Sequence, residues 1–289
     1  MPSASARRRV LLALTVGLLG ACAPPETPPG PTVAVVAASD LQHSFDALRE
    51  GFAKEHPEIT VTVSYGASGS LTAQIKEGAP FDVFFSADMS YPEALAALGL
   101  VSEDGVRPYA VGELVIWAPP GSPAPPAEDG LAALVSPSVH HIAIANPQHA
   151  PYGRAAVAAL KALGLYDAVA PKLVYGENIS QTTQLTQSGA AELGFISRSM
   201  TLAPATRGQG AVFPLPTGLF PPIVQGVAVL KGAASPEAAE ALVSFVCSPA
   251  GQDILAAHGF TPTRSLGPGQ QVPAQGPPRQ GPPHEGTPE

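Results

Sequence analysis

Charge is scarce in this chain. Asp, Glu, Lys and Arg make up 13% of its 289 residues, and the 15 basic residues are outnumbered by 23 acidic ones. So few cations exclude a reading that needs a basic surface, so nucleic acid and anionic membrane headgroups are poor partners. Cysteine is nearly absent too. With only Cys22 and Cys247 present, no disulfide framework can hold the fold, and stability has to come from a buried core. Material for that core is ample, since 45% of the residues are hydrophobic, enough for one large or two medium domains. There is also no internal repeat of about 20 to 50 residues, which argues against a solenoid.

Long apolar runs are missing except at one place. Residues 10–19 form a mostly apolar segment behind Arg7, Arg8 and Arg9, too short to span a bilayer comfortably and typical of a secretory leader. It ends Leu19-Gly20-Ala21-Cys22, small residues directly before a cysteine, which resembles a bacterial lipobox. Residues 1–21 are therefore expected to be a lipoprotein signal peptide. Acylated Cys22 would anchor the protein at the outer face of the cytoplasmic membrane or in the periplasm. Three basic residues fall in the leader, so 12 remain against 23 acidic. Residues 22–31 read as a stiff Pro-rich tether. Residues 266–289, rich in Pro, Gly and Gln without apolar periodicity, read as a disordered tail.

Between these flanks, short apolar bursts alternate with stretches of helical spacing, the pattern of an α/β fold with mainly parallel sheets. Strands are expected at 33–37, 59–65, 83–86, 114–118, 142–145, 172–175, 193–197 and 223–230. Leu41, Phe45, Leu48 and Phe52 recur at helical spacing, with Ser39 or Asp40 available as N-cap. The chain leaves one α/β set, builds a second and returns. Two lobes are expected, 32–111 with 226–265 and 112–225, joined by crossings near Gly112 and Gln225.

Ligands of open α/β sheets sit beyond the carboxyl ends of strands, where helices begin and free N–H groups point outward. Four such junctions read AASDL (37–41), YGASGSL (65–71), NPQHAPYGR (146–154) and GENISQ (176–181). Each is short and rich in small or polar residues. Each can offer backbone donors, and Ser39 and Ser68 add hydroxyls. Neutral donors at helix N-termini can hold a dehydrated dianion without Lys or Arg. The chain's overall acidity does not oppose this, because salt screens distant charge over about 8 Å.

The segments AASDL, ASGSLTAQIKEGAPFDVFFSAD, HIAIANPQHAPYG, YGENISQ, AELGFIS and PPIVQGVAVL, in this order, resemble the periplasmic molybdate-binding protein family of type II solute-binding proteins. The resemblance implies two α/β lobes with molybdate or tungstate between them, passed on to an ABC permease and its ATPase. It implies no enzyme activity and no cofactor beyond the ligand, and a monomer is expected. Carried over residue by residue, Ser39 and Ser68 would each give a hydroxyl and an N–H, and Asp40 an N–H only. Tyr152 and Ile179 would give backbone N–H groups from the second lobe, so the molybdenum of molybdate would be held through Ser39, Ser68, Tyr152 and Ile179. Where some relatives place a tyrosine hydroxyl, this chain has Ser197. The Asp40 side chain is expected to face away and cap the following helix.

Other readings rest on less. Gly66-Ala67-Ser68-Gly69-Ser70 approaches the G-x-S-x-G nucleophile elbow but lacks its final glycine, and His258 would have to serve as base. His140, His141 and His149 have no metal-ligand spacing. Sulfate, thiosulfate, phosphate or an organic acid anion are the alternatives within the same class.

Overall fold

The computed structural model describes residues 30–123 and 130–263. The leader, Cys22 and the 266–289 tail lie outside the described residues. The first lobe begins with β1 (Thr32–Ala38), a 3-10 turn (Ser39–Leu41) and α1 (Gln42–Glu55). It continues with β2 (Thr60–Gly66), α2 (Ser68–Lys76), β3 (Val83–Ser86), α3 (Ser90–Ala97) and β4 (Val101–Gly112). The second lobe follows as β5 (Leu114–Ala118), α4 (Gly130–Val135), β6 (Ile142–Ala145), α5 (Pro151–Ala162) and α6 (Tyr166–Val169). It ends with β7 (Leu173–Gly176), α7 (Ile179–Gln187), β8 (Leu193–Ser197), α8 (Arg198–Thr201) and β9 (Ala211–Pro214). The chain then returns as β10 (Ile223–Leu230), α9 (Pro236–Cys247), α10 (Pro249–Ala257) and β11 (Thr261–Pro262).

The first sheet has the order β11-β4-β10-β3-β1-β2 and the second β7-β6-β8-β5-β9. β1 runs parallel to β2 and β3, and β6 parallel to β7 and β8. Every pairing of β10, β4, β11, β5 and β9 is antiparallel. The sheets are therefore mixed, not mainly parallel. The parallel strands are those followed by crossover helices, while the strands that enter and leave each lobe pair antiparallel.

β1 shows why these residues make a central strand. Val33, Val35 and Ala37 face one helical layer with Phe45, Leu48, Phe52 and Leu242, whereas Val36 faces the other with Leu71, Ile75 and Leu95. Both faces are buried, so the strand is apolar throughout and does not alternate with polar residues. Each fully buried Leu, Val or Phe here stabilises the fold by about 1.5–3 kcal/mol. The second lobe has its own core, with Trp117, Phe195, Ile142 and Leu160 fully or almost fully buried. Into that core also pack Ala38, Ala67 and Ala87 of the first lobe.

β4 and β5 lie in different sheets with only Glu113 between them, and Ile223 pairs with Gly112 across β10 and β4. The two crossings thus lie side by side. Gln225 falls inside β10, so the return crossing precedes Ile223. α1 starts at Gln42, and neither it nor the preceding turn has a side-chain cap bond. Neither Ser39 nor Asp40 is the expected N-cap.

Candidate functional site

Ser39, Asp40, Ser68, Tyr152 and Ile179 line one cavity between the lobes, together with Ala38, Ala67, Ala87 and Asn178. The strand ends supply them. Ser39 and Asp40 follow β1, Ser68 opens α2 after β2, Tyr152 is the second residue of α5 after β6, and Ile179 opens α7 after β7. The space between them is small, about 10 Å³, of the order that holds one water-sized species. A more open cleft of about 320 Å³ shares Ser39 and Asn178 with it and is lined further by Gln42, Tyr65 and Ser180.

The local capping explains which N–H groups face this space. The first N–H groups of any helix lack intrahelical partners. In α7, the Asn178 side chain accepts from Ser180 N at 3.0 Å and Gln181 N at 3.1 Å. That leaves the N–H of Ile179 as the spare donor of the first turn. α5 has Pro151 at its first position and Ala150 as N-cap, which offers no side-chain acceptor. Tyr152 therefore carries the first N–H of that helix. Gly153 beside it is required, since a Cβ there would collide with the Ala145 carbonyl. α2 has Ala67 as an equally uncapped start. Its second N–H, from Gly69, goes to the His149 carbonyl at 2.9 Å, and of the other first-turn donors it is Ser68 that lines the cavity.

The hydroxyls are set up as donors in different ways. Ser68 Oγ accepts from Ala87 N at 3.0 Å, so its own hydrogen is free to point elsewhere. Ser39 Oγ donates to Asn178 Oδ1 at 3.2 Å across the cleft and accepts weakly from Ser180 N at 3.4 Å. Among the described residues no Lys or Arg lines the cavity. The N-termini of α2, α5 and α7, all of at least nine residues, turn the positive ends of their dipoles to it.

Asp40 departs from expectation. Its side chain caps no helix. Oδ2 accepts from the Tyr152 hydroxyl at 2.9 Å and from Gln225 Nε2 at 2.5 Å, and Gln225 Oε1 in turn accepts from the Tyr109 hydroxyl at 2.5 Å. Oδ1 is buried and has no partner among the described residues. Burial pushes this carboxyl up to about 6, with the Gln225 and Tyr152 hydrogen bonds pulling it down. Burial and the neighbouring Asp40 charge hold the Tyr152 phenol well above its ordinary value, so it stays a donor. The local rule that favours Asp as a cap loses here to partners 112 and 185 residues away. Gly112 leaves room for this cluster, because a Cβ there would overlap the Tyr152 hydroxyl.

Ser197 is buried but does not line the cavity. It bonds Ser199 Oγ at 2.9 Å, and Ser199 Oγ donates to the Asp40 carbonyl at 2.8 Å. His258 follows α10 with its ring nitrogen on the Ile254 carbonyl at 2.8 Å, and the partner of Ser68 Oγ among the described residues is Ala87 N, not a histidine. The backbone N–H groups of His140 and His141 both reach Glu192. Gln225 and Asn178 belong to the site without standing among the candidates that the sequence singles out. Each leaves a signal: Gln225 is a polar residue inside the apolar strand IVQGVAVL, and Asn178 directly precedes a helix.

Residues 33–261 match the family described as bacterial extracellular solute-binding protein. The chain is 36% identical over 253 residues to the molybdate-binding protein ModA of Azotobacter vinelandii, covering 87% of this chain and 96% of that one. It is 37% identical over 201 residues to ModA of Rhodobacter capsulatus, covering 70% and 77% respectively. The solved periplasmic molybdate-binding protein of A. vinelandii superposes with a TM-score of 0.74 at 34% identity, over 79% of this chain and 98% of that one. The sulfate-binding protein SubI of Mycobacterium tuberculosis, at 16% identity and a TM-score of 0.70, shares the fold.

Proposed function

This chain belongs to the bacterial extracellular solute-binding proteins, within them to the molybdate-binding proteins, and from that premise we propose how it captures its ligand. A single molybdate or tungstate ion sits in the interlobe cavity and accepts hydrogen bonds from the Ser39 and Ser68 hydroxyls. The N–H groups of Ser39, Asp40, Ser68, Tyr152 and Ile179 complete the set. One observation carries this reading: among the described residues, the helix starts around the cavity each leave a backbone N–H without an acceptor, at the residue that lines it, and no Lys or Arg lines it.

Such a site binds mainly by backbone dipoles fixed before the ion arrives, which need no counter-ion, while the Ser39 hydroxyl has to turn from Asn178 Oδ1 to the ion. The space between these donors has room for about one water-sized species, so the lobes have to part for an ion to enter, and less far for an inorganic tetrahedral ion than for an organic acid. Delivery to a membrane permease driven by an ATPase follows from the solute-binding role, as does the absence of turnover. The acylated Cys22 would keep the protein beside that permease; it lies outside the described residues.

Calorimetric titration of the protein with molybdate, tungstate, sulfate and phosphate tests the proposal. We expect one molybdate or tungstate per chain, with sulfate and phosphate weaker by about a hundred-fold or more, that is by at least 2.7 kcal/mol. Equal affinity for sulfate and molybdate would remove the selectivity, and no saturable binding of any of the four would remove the function.

A further inference from the structure

Arg154 sits two residues past Tyr152 on α5. Its Nη2 donates to Asp88 Oδ2 at 2.5 Å and its Nη1 to the Tyr91 hydroxyl at 2.7 Å. The guanidinium also lies 5.2 Å from the centre of the Tyr91 ring, a distance at which the ring face attracts a cation. Asp88 and Tyr91 belong to the first lobe, Arg154 to the second, so this tie crosses the cleft.

Its first-lobe end is fixed. Asp88 Oδ1 accepts from Ser90 N at 2.9 Å, and Ser86 Oγ donates to the Asp88 carbonyl at 2.7 Å. The Asp88 side chain is only 9% exposed and that of Arg154 31%, so the pair is shielded more than an ordinary surface bridge. Each end adjoins a proposed donor. Ala87, whose N–H holds Ser68 Oγ, precedes Asp88 in the chain, and Arg154 shares the first turn of α5 with Tyr152.

We propose that Arg154 is a positioning residue for oxyanion capture: by clasping Asp88 and Tyr91 it keeps the lobes closed over the ion and sets how slowly the ion leaves, without touching it. This rests on the functional reading above and adds a residue outside the proposed ligand set. A charged hydrogen-bonded pair across a closing interface acts mainly on the rate of separation, because it forms only once the two surfaces have met.

The test compares full-length wild type with Arg154→Ala, Asp88→Ala, the double variant and Tyr91→Phe. Release of radiolabelled molybdate into excess tungstate should be about ten- to a hundred-fold faster in Arg154→Ala, with association changed by less than about threefold. The double variant should release no faster than Arg154→Ala, since both lose the same contact. Tyr91→Phe, which removes one hydroxyl and keeps the ring, should shift release in the same direction by less. X-ray scattering without any anion should show a larger radius of gyration for Arg154→Ala than for wild type. Unchanged release together with an unchanged radius overturns the clasp. Wild type that binds neither molybdate nor tungstate overturns the functional reading instead, and scattering alone then decides on the clasp.

Discussion

Asp40 is where the physics of single residues is most exposed. Its carboxyl titrates near 6 in the folded protein against 3.8 for a free side chain, so the folded state binds the proton more tightly. That preference stabilises the fold fully below about pH 3.8 and is lost as pH rises through about 6, where the buried side chain must carry charge. Asp40→Asn should therefore raise thermal stability at pH 8, by up to about 3 kcal/mol at about 1.4 kcal/mol for each pH unit. The gain should shrink towards pH 4. Melting curves of both proteins at the two pH values check this, and a gain of the same size at both would contradict it. Tyr152→Phe tests the same cluster from the other side. Its hydroxyl donates to a buried carboxylate across the lobes, so we expect a loss of about 1.5–3 kcal/mol in stability. Molybdate affinity should fall by about tenfold, even though the proposed contact to the ion is the backbone N–H. An affinity equal to wild type, measured by titration, would show that the cluster does not report on closure.

Among the elements, α7 has the clearest division of labour at its start, where Asn178 satisfies the second and third N–H groups and spares the first. Asn178→Ala should cost about 1 kcal/mol of stability through the lost cap. It should cost more in affinity, since the freed first turn no longer holds Ile179 in place. Denaturant titration beside calorimetry separates the two, and an affinity loss no greater than the stability loss would leave the cap with a structural role only. Much of this level was legible in the chain. β1, β3, β5, β6 and β8 are apolar bursts between turn signals, and the helix starts that line the cavity follow from small and hydroxyl residues after such bursts. β4 was not legible: VSEDGVRPYAVG has acids, two glycines and a proline and no periodicity. It is a strand because β10 pairs along it through two register shifts, a long-range contact that local pattern cannot carry. The same holds for the Asp40 side chain, whose direction is decided by Tyr152 and Gln225 and not by its neighbours in sequence.

For the molecule as a whole, the family resemblance and the alternation of strands and helices were enough to anticipate a two-lobed α/β protein. The mixed sheets and the contacts that close the cleft were not, because they join residues far apart in the chain. Among those contacts, the alanines have a consequence for capture. Ala38 ends β1, and Ala67 and Ala87 follow directly on β2 and β3, yet all three pack into the second lobe's apolar core beside Tyr152 and Ile179. If the lobes part to admit an ion, that surface is wetted, and it dries again when they shut. Uptake of so small and polar an ion should then carry a negative heat-capacity change, a signature of apolar burial that the ion cannot produce by itself. Calorimetry of molybdate binding at several temperatures would show an enthalpy that becomes steadily more favourable on warming. A flat enthalpy would mean that the two cores are already joined before the ion enters. The cavity's polar donors would thus choose the ion, while much of the energy for enclosing it would come from methyl groups leaving water.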